Sequence, residues 1–129
     1  MKIAIDTSVY ADFCRNDSVI VQPLREAERI FMPVMVLAEL RAGFMAGTKA
    51  LKNERHLLGF LASPRVEVLL ADEQTTHHYA RLFFQLRRQG TPIPTNDLWI
   101  AALVAQHDLF LCARDEHFDN LPQLPRVNI

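Results

Sequence analysis

Four short apolar runs punctuate the chain: KIAI at 2–5, IFM at 30–32, VEVLL at 66–70 and LFLCA at 109–113. Their length and branched character predict buried strands. Between them, apolar residues recur at helical spacing. A short helix is predicted from near Ser8, and a second periodic segment covers 18–29. VMVLAELRAGFMAG reads as a helix that opens after Pro33, where proline suits a first turn, and closes near Gly47. A further helix over 49–61 stops before Ser63 and Pro64. Asp72 is placed to cap a long helix with Tyr79, Leu82, Phe83 and Leu86 as its apolar stripe and an end near Gly90. The prolines of TPIPTND disfavour helix before Asn96, and LWIAALVAQ then reads as a helix apolar on all sides, hence buried. PRVNI is predicted to add a last short strand.

Strands alternating with helices predict an α/β fold with a central, mainly parallel sheet covered on both faces. At 129 residues, half of them hydrophobic, the chain is expected to form a single domain over 1–129 with a substantial core. Ligand sites in such folds lie at the carboxyl ends of the strands. No basic segment followed by a long apolar run opens the chain, and no apolar stretch reaches the length of a membrane span, so a soluble, cytoplasmic protein is expected. Cys14 and Cys112 match no metal-ligand spacing and are expected to be reduced.

Four acids interrupt this pattern. Asp6 and Asp115 follow apolar strands, Glu39 breaks the apolar series VMVLAEL, and Asp97 stands at the start of the LWIAALVAQ helix. Carboxylates beside core segments are costly unless paired, protonated or bound to a cation. If they cluster, their mutual repulsion raises some pKa values, and a hard divalent cation with oxygen ligands removes it. A first-turn position, capped by Thr95 or Asn96, favours the ionised form of Asp97. Each acid also has an ordinary alternative: a cap for Asp6, a helix-start acid for Asp97, an ion pair with Arg41 or a distant Arg for Glu39, and a solvated loop acid for Asp115. Thr7 and Ser8 are placed to contact phosphate, to orient Asp6 or to cap a helix. His117 is read as structural or solvated rather than catalytic.

The segments IDTSVYADF, MPVMVLAELRAG and IPTNDLWIAALVAQHDLFLCARDEHFDNLPQL, in that order, resemble a PIN-domain nuclease, and within that family a toxin of the VapC type. The likeness spans nearly the whole chain and implies a PIN-like α/β/α sandwich. It places the family's metal-site acids on Asp6, Glu39, Asp97 and Asp115, and supporting polar positions on Ser8 and Asn96. Many relatives carry Thr or Ser where this chain has Ala113. The resemblance implies a metal-dependent endoribonuclease using Mg²⁺ or Mn²⁺, a small VapB-like antitoxin that inhibits it, and a homodimer. A catalytically silent RNA-binding or partner-binding PIN module and a related DNA nuclease are the alternatives.

Fourteen Lys and Arg against fifteen Asp and Glu give a formal charge of −1, so attraction of an RNA substrate would fall to local groups. Arg41, Arg87, Arg88 and Arg114 are the candidate phosphate contacts, with Lys49, Lys52 and Arg55 as a weaker patch.

Overall fold

A computed structural model describes residues 1–129. Its four strands are β1 (Lys2–Ile5), β2 (Arg29–Pro33), β3 (Val66–Leu69) and β4 (Phe110–Cys112). They form one sheet in the order β3-β2-β1-β4, and every pairing is parallel. Parallel neighbours require crossover connections. Six helices supply them: α1 (Thr7–Cys14), α2 (Ser18–Glu26), α3 (Val34–Ala46), α4 (Ala50–Leu61), α5 (Glu73–Gln89) and α6 (Thr95–Gln106). A short 3-10 helix, Glu116–Asn120, follows β4.

The central strand explains the layering. Ile3, Ala4 and Ile5 are all fully buried although successive side chains point to opposite faces. Both faces of the sheet are therefore covered, as the apolar runs predict. Ile3 pairs in register with Ile30 of β2 and Phe110 of β4, and Ile5 with Cys112. That register brings the carboxyl ends of β1 and β4 level. Leu98, Ile100, Ala101, Ala102, Leu103 and Val104 are buried around most of the circumference of α6, in agreement with its uniform apolar character.

Two elements and one side chain differ from the sequence reading. α6 begins at Thr95 with Pro94 as its N-terminal cap residue, and neither Thr95 nor Asn96 caps it. Proline restricts the residue before it, so Pro94 leaves the segment after it free to wind. PRVNI does not form a strand; only Arg126 bridges to Leu111 on the outer edge of β4. Phe83 lies off the buried stripe of α5 and is half exposed, whereas Leu82 and Leu86 are buried. The expected ends of α5 are present. Asp72 and Thr75 form a reciprocal capping box, and Gly90 terminates the helix at φ 71°, a left-handed conformation that glycine adopts without a Cβ penalty.

Candidate metal centre on the carboxyl rim

The site begins with the residue that ends β1. Asp6 keeps an extended backbone and caps α1, with its Oδ1 accepting from the Val9 N–H at 2.9 Å and from Ser8 Oγ at 3.1 Å. Ser8 thus orients Asp6, and both donors meet one oxygen, which leaves Oδ2 without a protein donor. Only 7% of Asp6 is exposed. Burial is the main force raising its pKa, and the charges of Asp97 and Asp115 raise it further, partly offset by the Val9 and Ser8 bonds.

Glu39 arrives from α3. Its Oε2 accepts from Thr7 Oγ1 at 2.9 Å, and its Oε1 accepts from Asn96 Nδ2 at 2.7 Å. These bonds join the first turn of α1, the middle of α3 and the first turn of α6. Glu39 forms no ion pair with Arg41, which instead grips Glu54 through two contacts of 3.1 and 3.0 Å. Asn96, adjacent to Asp97, therefore acts on the site by holding Glu39 rather than by capping its helix.

Asp97 and Asp115 come together through His117. Asp115 caps the 3-10 helix by accepting from the His117 N–H at 2.9 Å. The imidazole Nδ1 lies 2.9 Å from Asp97 Oδ2 and 2.9 Å from Asp115 Oδ1. Burial raises the pKa of Asp97; the His117 contact lowers it, and the charges of Asp115 and Glu39 raise it again. The Asp97 hydrogen bond and the two acidic charges raise the pKa of His117. Glu39 is bonded to the neighbours of Asp6 and Asp97, His117 joins Asp97 to Asp115, and β1 and β4 end level, so all four acids lie on one rim of the sheet.

The donor set fits a hard cation. Ligand atoms on Asp97, Asp115 and His117 lie within 4.8 Å of one another, and the buried Asp6, with Oδ2 free, stands outside that group on the same rim. His117, read from the sequence as structural or solvated, is hydrogen-bonded to two of the four acids. The D-x-H spacing directly after a strand end was its only local signal, because Asp97 lies twenty residues earlier in the chain.

The arginines divide. Arg114 is held by Asp12 and Asp17 at 2.9 and 3.0 Å, as Arg41 is by Glu54. Arg88 lies over the Phe84 ring, and Arg87 lines a cleft with Tyr79, Pro92 and Thr95 beside the start of α6. Ala113 is buried, offers no hydroxyl at its edge of the site, and its carbonyl accepts from Arg126.

Fold and site together define an α/β protein with an acidic rim, able to hold a cation, at the carboxyl edge of a parallel sheet. Within that class, the chain belongs to the PIN domain family, which matches residues 3–124. Ribonuclease VapC5 of Mycobacterium tuberculosis is 31% identical over 102 residues, which cover 79% of this chain and 76% of that protein. Ribonuclease VapC1 of Haemophilus influenzae (strain R2866) is 33% identical over 101 residues, covering 75% and 74%. Among solved structures, VapBC2 from Rickettsia felis bound to a DNA fragment from their promoter superimposes with a TM-score of 0.86 at 25% identity, covering 99% of this chain and 98% of that one. VapBC-1 from nontypeable Haemophilus influenzae gives the same TM-score, identity and coverage. No helix is long and apolar enough to cross a membrane.

Proposed function

We propose that this chain, as a single PIN-like domain over 1–129, is a VapC-type endoribonuclease toxin that hydrolyses RNA phosphodiester bonds and is neutralised by a small VapB-like antitoxin. The observation that carries the reading is the placement of Asp6, Glu39, Asp97 and Asp115 on one rim, linked through Thr7, Asn96 and His117, in a chain of the PIN family. The named relatives are ribonucleases, and the structural neighbours are VapBC complexes. A cytoplasmic homodimer that binds the antitoxin is the assembly we infer.

Asp6, Asp97 and Asp115 would hold a divalent cation, Mg²⁺ or Mn²⁺. When bound, such an ion supplies charge neutralisation and Lewis-acid polarisation of the scissile phosphoryl group. The chain's own residues do the positioning. Ser8 and the Val9 N–H fix one oxygen of Asp6, so its other oxygen is presented in one orientation. Thr7 and Asn96 clamp Glu39 at both oxygens. Each of those oxygens retains a lone pair, and Asp115 Oδ2 is also free, so Glu39 and Asp115 complete the acidic pocket and either would orient the attacking water. Arg87, free of ion pairs near the start of α6, is the preferred phosphate contact, with Arg88 behind it. Arg41 and Arg114 would first have to leave their carboxylate partners.

The test incubates purified protein with total RNA, and in parallel with DNA, in Mg²⁺, in Mn²⁺ and in EDTA, then maps the cut ends. Metal-dependent cleavage of RNA that disappears in Asp6→Asn and Asp97→Asn is expected. RNA binding without cleavage in any metal would instead identify a silent binding module. Preferential cleavage of DNA would identify a DNA nuclease.

A further inference from the structure

We propose that His117 is a nitrogen ligand of the cation site and biases that site toward Mn²⁺ over Mg²⁺. The inference rests on the metal-site reading above and adds a residue that the four-acid pattern does not contain. His117 is the one basic side chain bonded to these acids: its Nδ1 stands 2.9 Å from both Asp97 Oδ2 and Asp115 Oδ1. Its backbone is tied to the same loop, since its own N–H donates to Asp115 Oδ1. The next residue, Phe118, is buried and anchors the 3-10 helix in the core. The ring is thus aimed at the acids from a fixed base.

In the metal-free chain these contacts are hydrogen bonds, and a cation at the site would take the place of the Nδ1 proton between the ring and the two carboxylates. Around a six-coordinate ion with bonds of about 2.1 Å, adjacent donor atoms stand about 3 Å apart. The two 2.9 Å contacts of Nδ1 match such edges, and all three donor atoms lie within 4.8 Å of one another. Nearly half of the imidazole is exposed, which leaves solvent access for the waters that complete a coordination shell. A nitrogen donor then changes the preference of the site. Mg²⁺ favours oxygen ligands and surrenders its waters reluctantly, whereas Mn²⁺, at home among carboxylates and the weakest binder of the first-row series, accepts an imidazole donor more readily than Mg²⁺ does.

The experiment loads the full-length protein with Mn²⁺ and records electron spin-echo envelope modulation, with calorimetric titrations of Mn²⁺ and Mg²⁺ alongside. Wild type is expected to show ¹⁴N coupling from a directly bound imidazole, and His117→Gln to lose it. The same substitution is expected to lower the ratio of Mn²⁺ to Mg²⁺ affinity by about tenfold. Because the His117 side chain is half exposed, the variant is expected to keep the wild-type melting profile. If Mn²⁺ binds wild type and is lost in Asp97→Asn, but no ¹⁴N coupling appears, the ligand assignment fails while the acidic site stands. Coupling that persists in His117→Gln, or an unchanged affinity ratio, also overturns it. Absence of any Mn²⁺ binding overturns both the assignment and the reading beneath it.

Discussion

Replacing Asp6 by Asn isolates what the acidic rim costs the fold. Asp6 is 7% exposed, and burial, then the neighbouring acids, hold its pKa above the ordinary carboxylate value. A carboxyl whose pKa is higher in the folded than in the unfolded chain opposes folding once it ionises. The penalty is absent below the unfolded value, grows as pH rises and is complete above the folded value. Asparagine removes the charge but keeps an oxygen to accept from the Val9 N–H, so the cap of α1 survives. In EDTA at pH 7.5 the substitution should therefore stabilise the protein by about 1–3 kcal/mol, the range for relieving a desolvated polar group. For a chain of 129 residues each kcal/mol moves Tm by roughly 3–4 °C, so the gain should be about 3–12 °C. At acid pH, where wild-type Asp6 is itself protonated, the gain should vanish. Saturating Mn²⁺ should reverse the order, because an ion at about 1,000 times its Kd adds about 4.1 kcal/mol to the wild type alone, more than the Asn advantage. Melting curves by circular dichroism, with and without Mn²⁺ at both pH values, give the answer. An Asn variant that melts lower than wild type in EDTA, or that gains as much from Mn²⁺, would refute the reasoning.

Asn96→Ala frees Glu39 Oε1 from its 2.7 Å donor and should lower cleavage by about tenfold or more with Tm little changed; single-turnover assays beside melting curves check this. Asp72→Ala removes the capping box of α5, and its pH dependence has a sign. The Gln106 contact first, then the Thr75 N–H, hold the Asp72 carboxyl below its usual range, so its contribution is present at neutral pH and is lost as pH falls through the folded value. The gap in urea midpoint between Asp72→Ala and wild type should accordingly be widest at pH 7 and should narrow below about pH 4. Leu103→Ala empties a fully buried position on α6 and should cost about 2–5 kcal/mol, measured by urea unfolding.

Much of the fold was legible because its elements are consistent locally and globally. The strand runs at 2–5, 30–32, 66–70 and 109–113 each overlap an observed strand, and the all-round apolar character of α6 matches its burial. The capping box and Gly90 behave as their residue types dictate. What escaped depends on contacts between distant segments. Glu39 was equally compatible with an arginine partner until Thr7 and Asn96 were brought to it from 32 and 57 residues away. Arg41 and Arg114 looked free because Glu54, Asp12 and Asp17 reach them only in the folded chain. PRVNI has strand-like residues but meets only one edge position on β4, and edge pairing is not written in periodicity. His117 carried a weak local signal and gained meaning only when the register of β1 with β4 set the last loop beside α6.

The central claim is that separate elements deliver carboxylates to one cation-holding pocket. Anomalous diffraction at the manganese edge, from crystals grown with Mn²⁺, tests it most directly. A peak bounded by Asp6, Asp97 and Asp115 is the predicted result. A fully occupied peak elsewhere, with this rim vacant at saturating Mn²⁺, would contradict it.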